Sequence, residues 1–117
     1  MIKRPENAHE RYHAHVYFGE GTVEQARALC QEAADKFGVT MGRVHQKLVG
    51  PHPHWSCQLA FDSEQFDGLI PWLDAHRNGL NILVHAQTGH SVEDHTTHAS
   101  WLGEPSVLNL SHFSKDH

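Results

Sequence analysis

The chain has 117 residues, 38% of them apolar, and a formal net charge of −5 when histidine is counted as neutral. This length suits one domain over residues 1–117 with a single core, and the acidic balance argues against a nucleic-acid partner. No apolar run is long enough to cross a bilayer, and the first residues lack the apolar segment of a secretory signal, so we expect no membrane partner and a cytoplasmic protein. Thirteen residues are histidine, and this excess directs the search for function to them.

The first predicted element is a strand near 11–18, preceded by a loose arm over 1–9. Successive side chains of a strand point to opposite faces of the sheet. His13, His15 and Tyr17 therefore share one face of this strand, and the residues between them form an apolar face.

A helix is predicted next, beginning at Thr22 and ending at Gly38. Thr22 and Gln25 have the spacing of a capping box, and a glycine directly after the apolar stripe is typical of a helix C-terminus. A second strand is predicted near 41–49, and Gly50-Pro51-His52-Pro53 after it is predicted to be a turn, because proline cannot donate to a strand ladder.

The third strand is predicted near 54–61, followed by a helix capped by Asp62 or Ser63. Pro71 lies inside that helical pattern, so we expect a kink or two short helices there. A fourth strand is predicted near 80–86. The rest is a polar segment and a C-terminal tail over 104–117, with a last extended piece over Val107–Leu110.

The order β-α-β-β-α-β predicts an α+β fold of the ferredoxin-like type, a four-stranded antiparallel sheet with both helices on one face. The first strand is then central, between the third and the fourth. The helices need the apolar face, so the opposite face carries the polar side chains. The residues predicted on that face are His13, His15, Tyr17, His54, Gln58 and His85.

Three of these histidines form a candidate metal site. His13 and His15 are two residues apart on one strand, and antiparallel pairing brings His85, at the end of the fourth strand, beside them. Three imidazole nitrogens can hold a metal and leave coordination positions open for substrate. Because the common iron triad has two histidines and a carboxylate, a carboxylate is an alternative to one imidazole, from Glu10, Glu93 or Asp94.

Two further histidines are candidates for proton transfer. His52 lies between two prolines that fix its backbone, and His95 lies in a segment that could close over the site. His54, at the start of the third strand, is a substitute ligand or a substrate contact.

A set of short segments, in order over about residues 11–110, resembles a known family. The segments are Tyr12–Phe18, Gly42–His45, Val49–Pro53, Pro71–Leu73, Gly79–Leu80, Leu83–His85, Thr88–Gly89, Asp94–His95 and Trp101–Pro105. As an ordered set they resemble the DOPA 4,5-dioxygenase-like proteins, small extradiol-type dioxygenases with a ferredoxin-like fold. In one departure, His90 stands where the family pattern Thr-Gly-Asp has its aspartate.

The resemblance implies Fe(II), O₂ and a catechol substrate such as DOPA. Tyr17 would then hydrogen-bond to oxygen, and Arg43 or Lys47 would contact a substrate carboxylate. Two alternatives remain open at this point: a zinc hydrolase or lyase using the same histidines, since zinc readily occupies such a site during purification, and a non-catalytic metal-binding or small-molecule-binding dimer. A polar sheet face that needs covering also favours a homodimer.

Overall fold

The computed structural model describes residues 2–113, so the end of the predicted tail, 114–117, lies outside the described residues. The strands are β1 Arg11–Phe18, β2 Thr40–His45, β3 Trp55–Asp62, β4 Ile82–Ala86 and β5 Ala99–Leu102. The α-helices are α1 Val23–Phe37, α2 Ser63–His76 and α3 Ser91–Asp94, and short 3₁₀ turns cover Glu20–Thr22 and Leu110–His112. No helix within residues 2–113 is both long and apolar enough to span a membrane.

The strands form one antiparallel sheet in the order β2-β3-β1-β4-β5. The predicted position of β1, between β3 and β4, is confirmed, and so is the α+β class. The predicted number of four strands is wrong, because β5 pairs with β4 as a fifth. All four residues of β5 are buried, so its sequence lacks the polar–apolar alternation by which a half-buried strand is recognised.

Two other predicted strand boundaries differ from the structure. Val107–Leu110 contains no strand, and the chain instead enters a 3₁₀ turn at Leu110. β2 ends at His45 rather than near residue 49, because the exposed residues after it lead directly into the predicted turn. That turn is confirmed: Gly50 has a φ of +53°, and the N–H of His52 donates to the carbonyl of Val49.

The hydrophobic core lies between one face of the sheet and the helices α1 and α2. From β1, Tyr12, Ala14, Val16 and Phe18 enter this core, as the alternation predicts. The remaining buried members come from both helices and from the matching positions of the other strands, among them Leu29, Cys30, Cys57, Leu59, Leu69, Leu73, Ile82 and Val84. We call this the helix face of the sheet.

The helix ends agree with the predicted caps at two of three points. Gly38 has a left-handed φ of +70° and donates its N–H to the carbonyl of Ala34, and Asp62 forms a capping box with Gln65. The capping box predicted for Thr22 and Gln25 is wrong. The Thr22 hydroxyl accepts instead from the N–H of Gly19, and the amide of Gln25 donates to carbonyls at the end of α2.

Two segments are more ordered in the structure than the sequence predicts. α2 is one continuous helix that includes Pro71, not two short ones. The segment predicted as a loose arm makes specific contacts with the sheet: the N–H of Trp101 donates to the carbonyl of Lys3, and the Tyr12 hydroxyl accepts from the N–H groups of Ala8 and His9. The arm therefore lies along the outer edge of β5.

Candidate metal and proton-transfer site

The opposite face of the sheet, which we call the histidine face, gathers histidines from neighbouring strands. In the β1–β4 register His13 lies directly opposite His85, and His15 lies two residues along β1, opposite Leu83. His15 and His85 are buried and His13 is half-buried. The three predicted ligands therefore come together on one face, as β1 alternation and antiparallel pairing require.

One ring nitrogen from each of His13, His15 and His85 lies within 4.8 Å of the others. The Nε2 atoms of His15 and His85 are 3.0 Å apart. Two nitrogens bound at right angles to one metal, each at about 2.1 Å, would be separated by about 3.0 Å. The two buried histidines thus already have the spacing of adjacent ligands.

The hydrogen bonding of His85 fixes which nitrogen is available. Its Nδ1 lies 2.8 Å from the carbonyl oxygen of Ala86. A carbonyl can only accept, so Nδ1–H is the donor and Nε2 carries the lone pair of the neutral ring. A second hydrogen bond of this kind is the usual way in which proteins orient a metal-binding histidine.

Burial keeps these imidazoles neutral. Removal from water lowers the pKa of His85 to about 3 and that of His15 well below its usual value, with the neighbouring His52 and His85 adding to the effect. Burial also lowers the pKa of His13, which His95 lowers further and Asp94 partly raises. Neutral imidazole is the form that binds metal, so the three histidines could hold a metal ion.

His52 lies beside the three-histidine group without belonging to it. Its ring centroid is 4.1 Å from that of His15, and its Nδ1 is 2.8 Å from the Tyr17 hydroxyl. Burial raises the pKa of the Tyr17 hydroxyl, so that group remains protonated and can donate. Although His52 lies in a turn, only 7% of its surface is exposed, which is unusual for a turn residue with no structural task.

His95 lies over His85, with ring centroids 4.2 Å apart. Its Nδ1–H donates to the carbonyl of Ser91 at 2.8 Å, which leaves the Nε2 lone pair as a base. The short helix α3 ends just before His95. It is held by Asp94, whose carboxylate accepts from the N–H and the hydroxyl of Thr88. Sequence reasoning did not identify this positioning role of Asp94.

The carboxylate alternatives fit the site less well. Within residues 2–113, the cluster whose atoms could share one ion contains three histidines and no carboxylate. Asp94 is buried but engaged with Thr88, and Glu10 and Glu93 are exposed. His90, the departure from the family pattern, is exposed, and its N–H donates to the Thr88 hydroxyl.

The predicted substrate contacts lie farther out. His54 is exposed, with its ring 5.3 Å from that of Tyr17 and its Nε2 3.1 Å from the Ser106 hydroxyl. Arg43 is exposed on β2, the edge strand separated from β1 by β3. Neither belongs to the three-histidine group, and their substrate roles stay predictions.

A small second apolar cluster on the histidine face was not predicted. Tyr17, Leu83, Ala99 and Trp101 pack together there, with Leu108 against them. β5 and the segment after it contribute most of this cluster. Because β5 was not predicted, the cluster could not be predicted either. The amide N–H of Asn109 donates to the carbonyl of Pro51, which ties the segment after β5 to the turn that carries His52.

Comparison with known proteins agrees with this geometry. Residues 12–112 match the model of the Dopa 4,5-dioxygenase family. The chain is 30% identical over 112 residues to a DOPA 4,5-dioxygenase of Amanita muscaria and covers 49% of that protein. It is 34% identical to an uncharacterized 21.2 kDa protein of Botryotinia fuckeliana and covers 61% of it. The chain thus spans about half to three fifths of these relatives.

A solved structure extends the comparison to the fold. The crystal structure of a candidate dioxygenase from Nostoc punctiforme matches with a TM-score of 0.88 and 39% identity. The match covers 92% of this chain and 94% of that one. One of these relatives and the solved structure are named as dioxygenases. The chain belongs to the Dopa 4,5-dioxygenase family.

Proposed function

We propose that the protein is an extradiol ring-cleaving dioxygenase that uses Fe(II) and O₂ to open a catechol such as DOPA. The observation that carries the proposal is the convergence of three neutral imidazoles, from His13, His15 and His85, on one half-enclosed sheet face. Three protein ligands leave enough coordination positions for a chelating catechol and O₂ together. The named relative, a DOPA 4,5-dioxygenase, supports the same substrate class.

The donor set fits a divalent transition metal. Imidazole nitrogen suits iron, zinc and copper alike, and the hydrogen bond from His85 to Ala86 aims Nε2 into the group. His13, His15 and His85 would hold the ion, as the sequence predicts. When bound, Fe(II) supplies the electrons that activate O₂ and lowers the pKa of the catechol hydroxyls.

His95 and His52 would handle the protons. The Nε2 of His95 has its lone pair available, and the ring lies directly over His85, so this residue can take a catechol proton as the substrate binds. His52, held against His15 and Tyr17, can exchange a proton later in the reaction. A positioned general acid or base typically accelerates a reaction about 10²–10⁴-fold.

Tyr17 would act as a hydrogen-bond donor toward oxygen. Burial keeps its hydroxyl protonated. When His52 donates through Nδ1–H, the tyrosine oxygen accepts and its own proton can point to a ligand. His54 would contact substrate from the β3 side, where its Nε2 lies 3.1 Å from the Ser106 hydroxyl. Arg43 lies farther out, on the edge strand β2, and we assign it no substrate contact.

Aerobic turnover with added Fe(II) tests the proposal. Purified protein is reconstituted anaerobically and mixed with a panel of catechols in air, and products are identified by mass spectrometry. We expect a yellow ring-opened product that has gained both atoms of O₂, with none from protein loaded with zinc. A protein that hydrolyses esters with zinc bound, and opens no ring with iron, is instead a hydrolase built on the same histidines.

We also propose that the chain works as a homodimer in the cytoplasm. Several apolar side chains are exposed near the histidine face, with Val107 at 91% and Leu110 at 39%, and a second copy would cover them. Sedimentation at high concentration should show a dimer, whereas an active monomer would contradict this assembly.

A further inference from the structure

A cavity of about 580 Å³ opens beside His95. Its walls come from the N-terminal arm, from β5 with the turn before it, and from residues 105–110. Trp101 and Leu108, which pack together on the histidine face, supply much of the apolar lining. We call this space the side-chain cavity, because a catechol bound at the three histidines must direct its ring substituent somewhere, and this space adjoins the site.

The charge of this cavity is unlike that of the whole chain. The protein carries a net charge of −5, yet none of the described residues that line the cavity is Asp or Glu. Lys3 is the one lining residue among them with a permanent charge. A largely apolar recess with one cation and no carboxylate favours an anionic group on an apolar ligand.

Lys3 is held beside the cavity by two contacts, one with β5 and one with the turn before it. Its carbonyl accepts from the N–H of Trp101 at 2.9 Å, and its ammonium donates to the carbonyl of Thr97. An ammonium has three donors, so the bond to Thr97 leaves others for a ligand. The arm lies beyond β5, two strand spacings from β4 and His85, or about 10 Å.

We propose that the side-chain cavity holds the substituent of the catechol substrate and that Lys3 binds a carboxylate at its end. This inference rests on the proposed function and assigns the residue that selects for a substrate side chain ending in a carboxylate. Arg43 lies at the opposite edge of the sheet, on β2, and so cannot serve the same cavity. Lys3 takes over the role that the sequence assigns to Arg43 or Lys47.

Anaerobic calorimetry of the iron-loaded protein tests the assignment without requiring turnover. The ligands are dihydrocaffeate and 4-propylcatechol, which share a catechol and a three-carbon chain and differ in the carboxylate. We expect wild type to bind dihydrocaffeate more tightly. Lys3→Gln should weaken that binding roughly two- to fivefold, the size of an exposed ion pair, and leave the affinity for 4-propylcatechol unchanged. Lys36→Gln, at an exposed position of α1, removes the same charge and should change neither affinity.

Three results would overturn the assignment. They are equal affinity of wild type for the two ligands, a similar effect of Lys3→Gln on both, and a selective loss of dihydrocaffeate binding in Arg43→Gln with none in Lys3→Gln. Turnover is measured separately. If dihydrocaffeate binding depends on Lys3 but no ring-opened product forms, the dioxygenase proposal is wrong and the cavity assignment stands. If ring opening occurs but binding does not depend on Lys3, the cavity assignment is wrong and the dioxygenase proposal stands.

Discussion

The two faces of the central sheet are built from the same strands by opposite physical rules. On β1, Ala14 and Val16 point to the helix face and His13 and His15 to the histidine face, one residue apart along the chain. Apolar burial on the helix face stabilises the fold by roughly 25 cal/mol per Å². Burial of imidazoles on the other face does the opposite, because it lowers their pKa values and removes them from water. The helix face therefore stabilises the fold, whereas the histidine face costs stability; under the proposed function, metal binding is the reason for that cost.

The largest expected effect separates ligands from every other histidine. His15→Gln and His85→Gln should each empty the iron site and abolish ring opening, since two imidazoles bind metal far more weakly than three. Iron content after anaerobic loading measures this directly. His76→Gln, exposed on α2, is the matched control and should retain iron. Stoichiometric iron in both ligand variants would place the metal elsewhere.

Substitution of the proton-transfer candidates should leave the iron content unchanged and lower kcat. His52→Ala and His95→Ala should lower kcat by about 10²–10⁴ while iron remains near one per chain. Steady-state kinetics beside metal analysis check both quantities in one preparation. If either variant loses iron, that residue is a ligand; if neither changes rate or iron, the two are structural histidines.

Substitutions on the helix face should change the stability of the fold and leave the metal content unchanged. Leu59→Ala should lower the free energy of unfolding by about 2–5 kcal/mol, because Leu59 is fully buried and a cavity would remain. Gln58→Ala, the adjacent half-buried position on the histidine face, should cost less than about 1 kcal/mol. Urea unfolding measures both. Equal losses in the free energy of unfolding would contradict the claim that the helix face, and not the histidine face, stabilises the fold.

The metal-free protein should also lose stability as the pH falls. His15 and His85 have lowered pKa values when folded and about 6.5 when unfolded, so the unfolded chain takes up protons first as pH falls. Each should therefore reduce stability by about 1.4 kcal/mol per pH unit below 6.5, toward a pKa of about 3 for His85. Urea unfolding between pH 7 and pH 5 measures the slope. The double variant His15→Gln/His85→Gln should be flatter, and an unchanged slope would contradict the burial argument.

The sequence was enough to predict the site where local periodicity decides the structure. Alternation along β1 places His13 and His15 on one face, and antiparallel pairing with β4 then brings His85 opposite His13. The capping box of Asp62 and Gln65 and the glycine end of α1 at Gly38 are equally local, and both were predictable.

Features that depend on distant partners could not be predicted. β5 is buried throughout, so no alternation marks it, and the arm is fixed by pairing with β5 through Lys3 and Trp101. Gln25 leaves its predicted capping role because carbonyls at the end of α2 compete for its amide. The side-chain cavity depends on all of these long-range contacts, so only the folded chain reveals it.

Anomalous scattering at the iron absorption edge, from crystals grown anaerobically with Fe(II), tests the central claim most directly. The account predicts one strong peak bonded to a ring nitrogen of each of His13, His15 and His85, at about 2.0–2.2 Å, with His52 and His95 nearby but unbound. A peak that excludes His85, or iron held by His52 or a carboxylate in its place, would contradict the account.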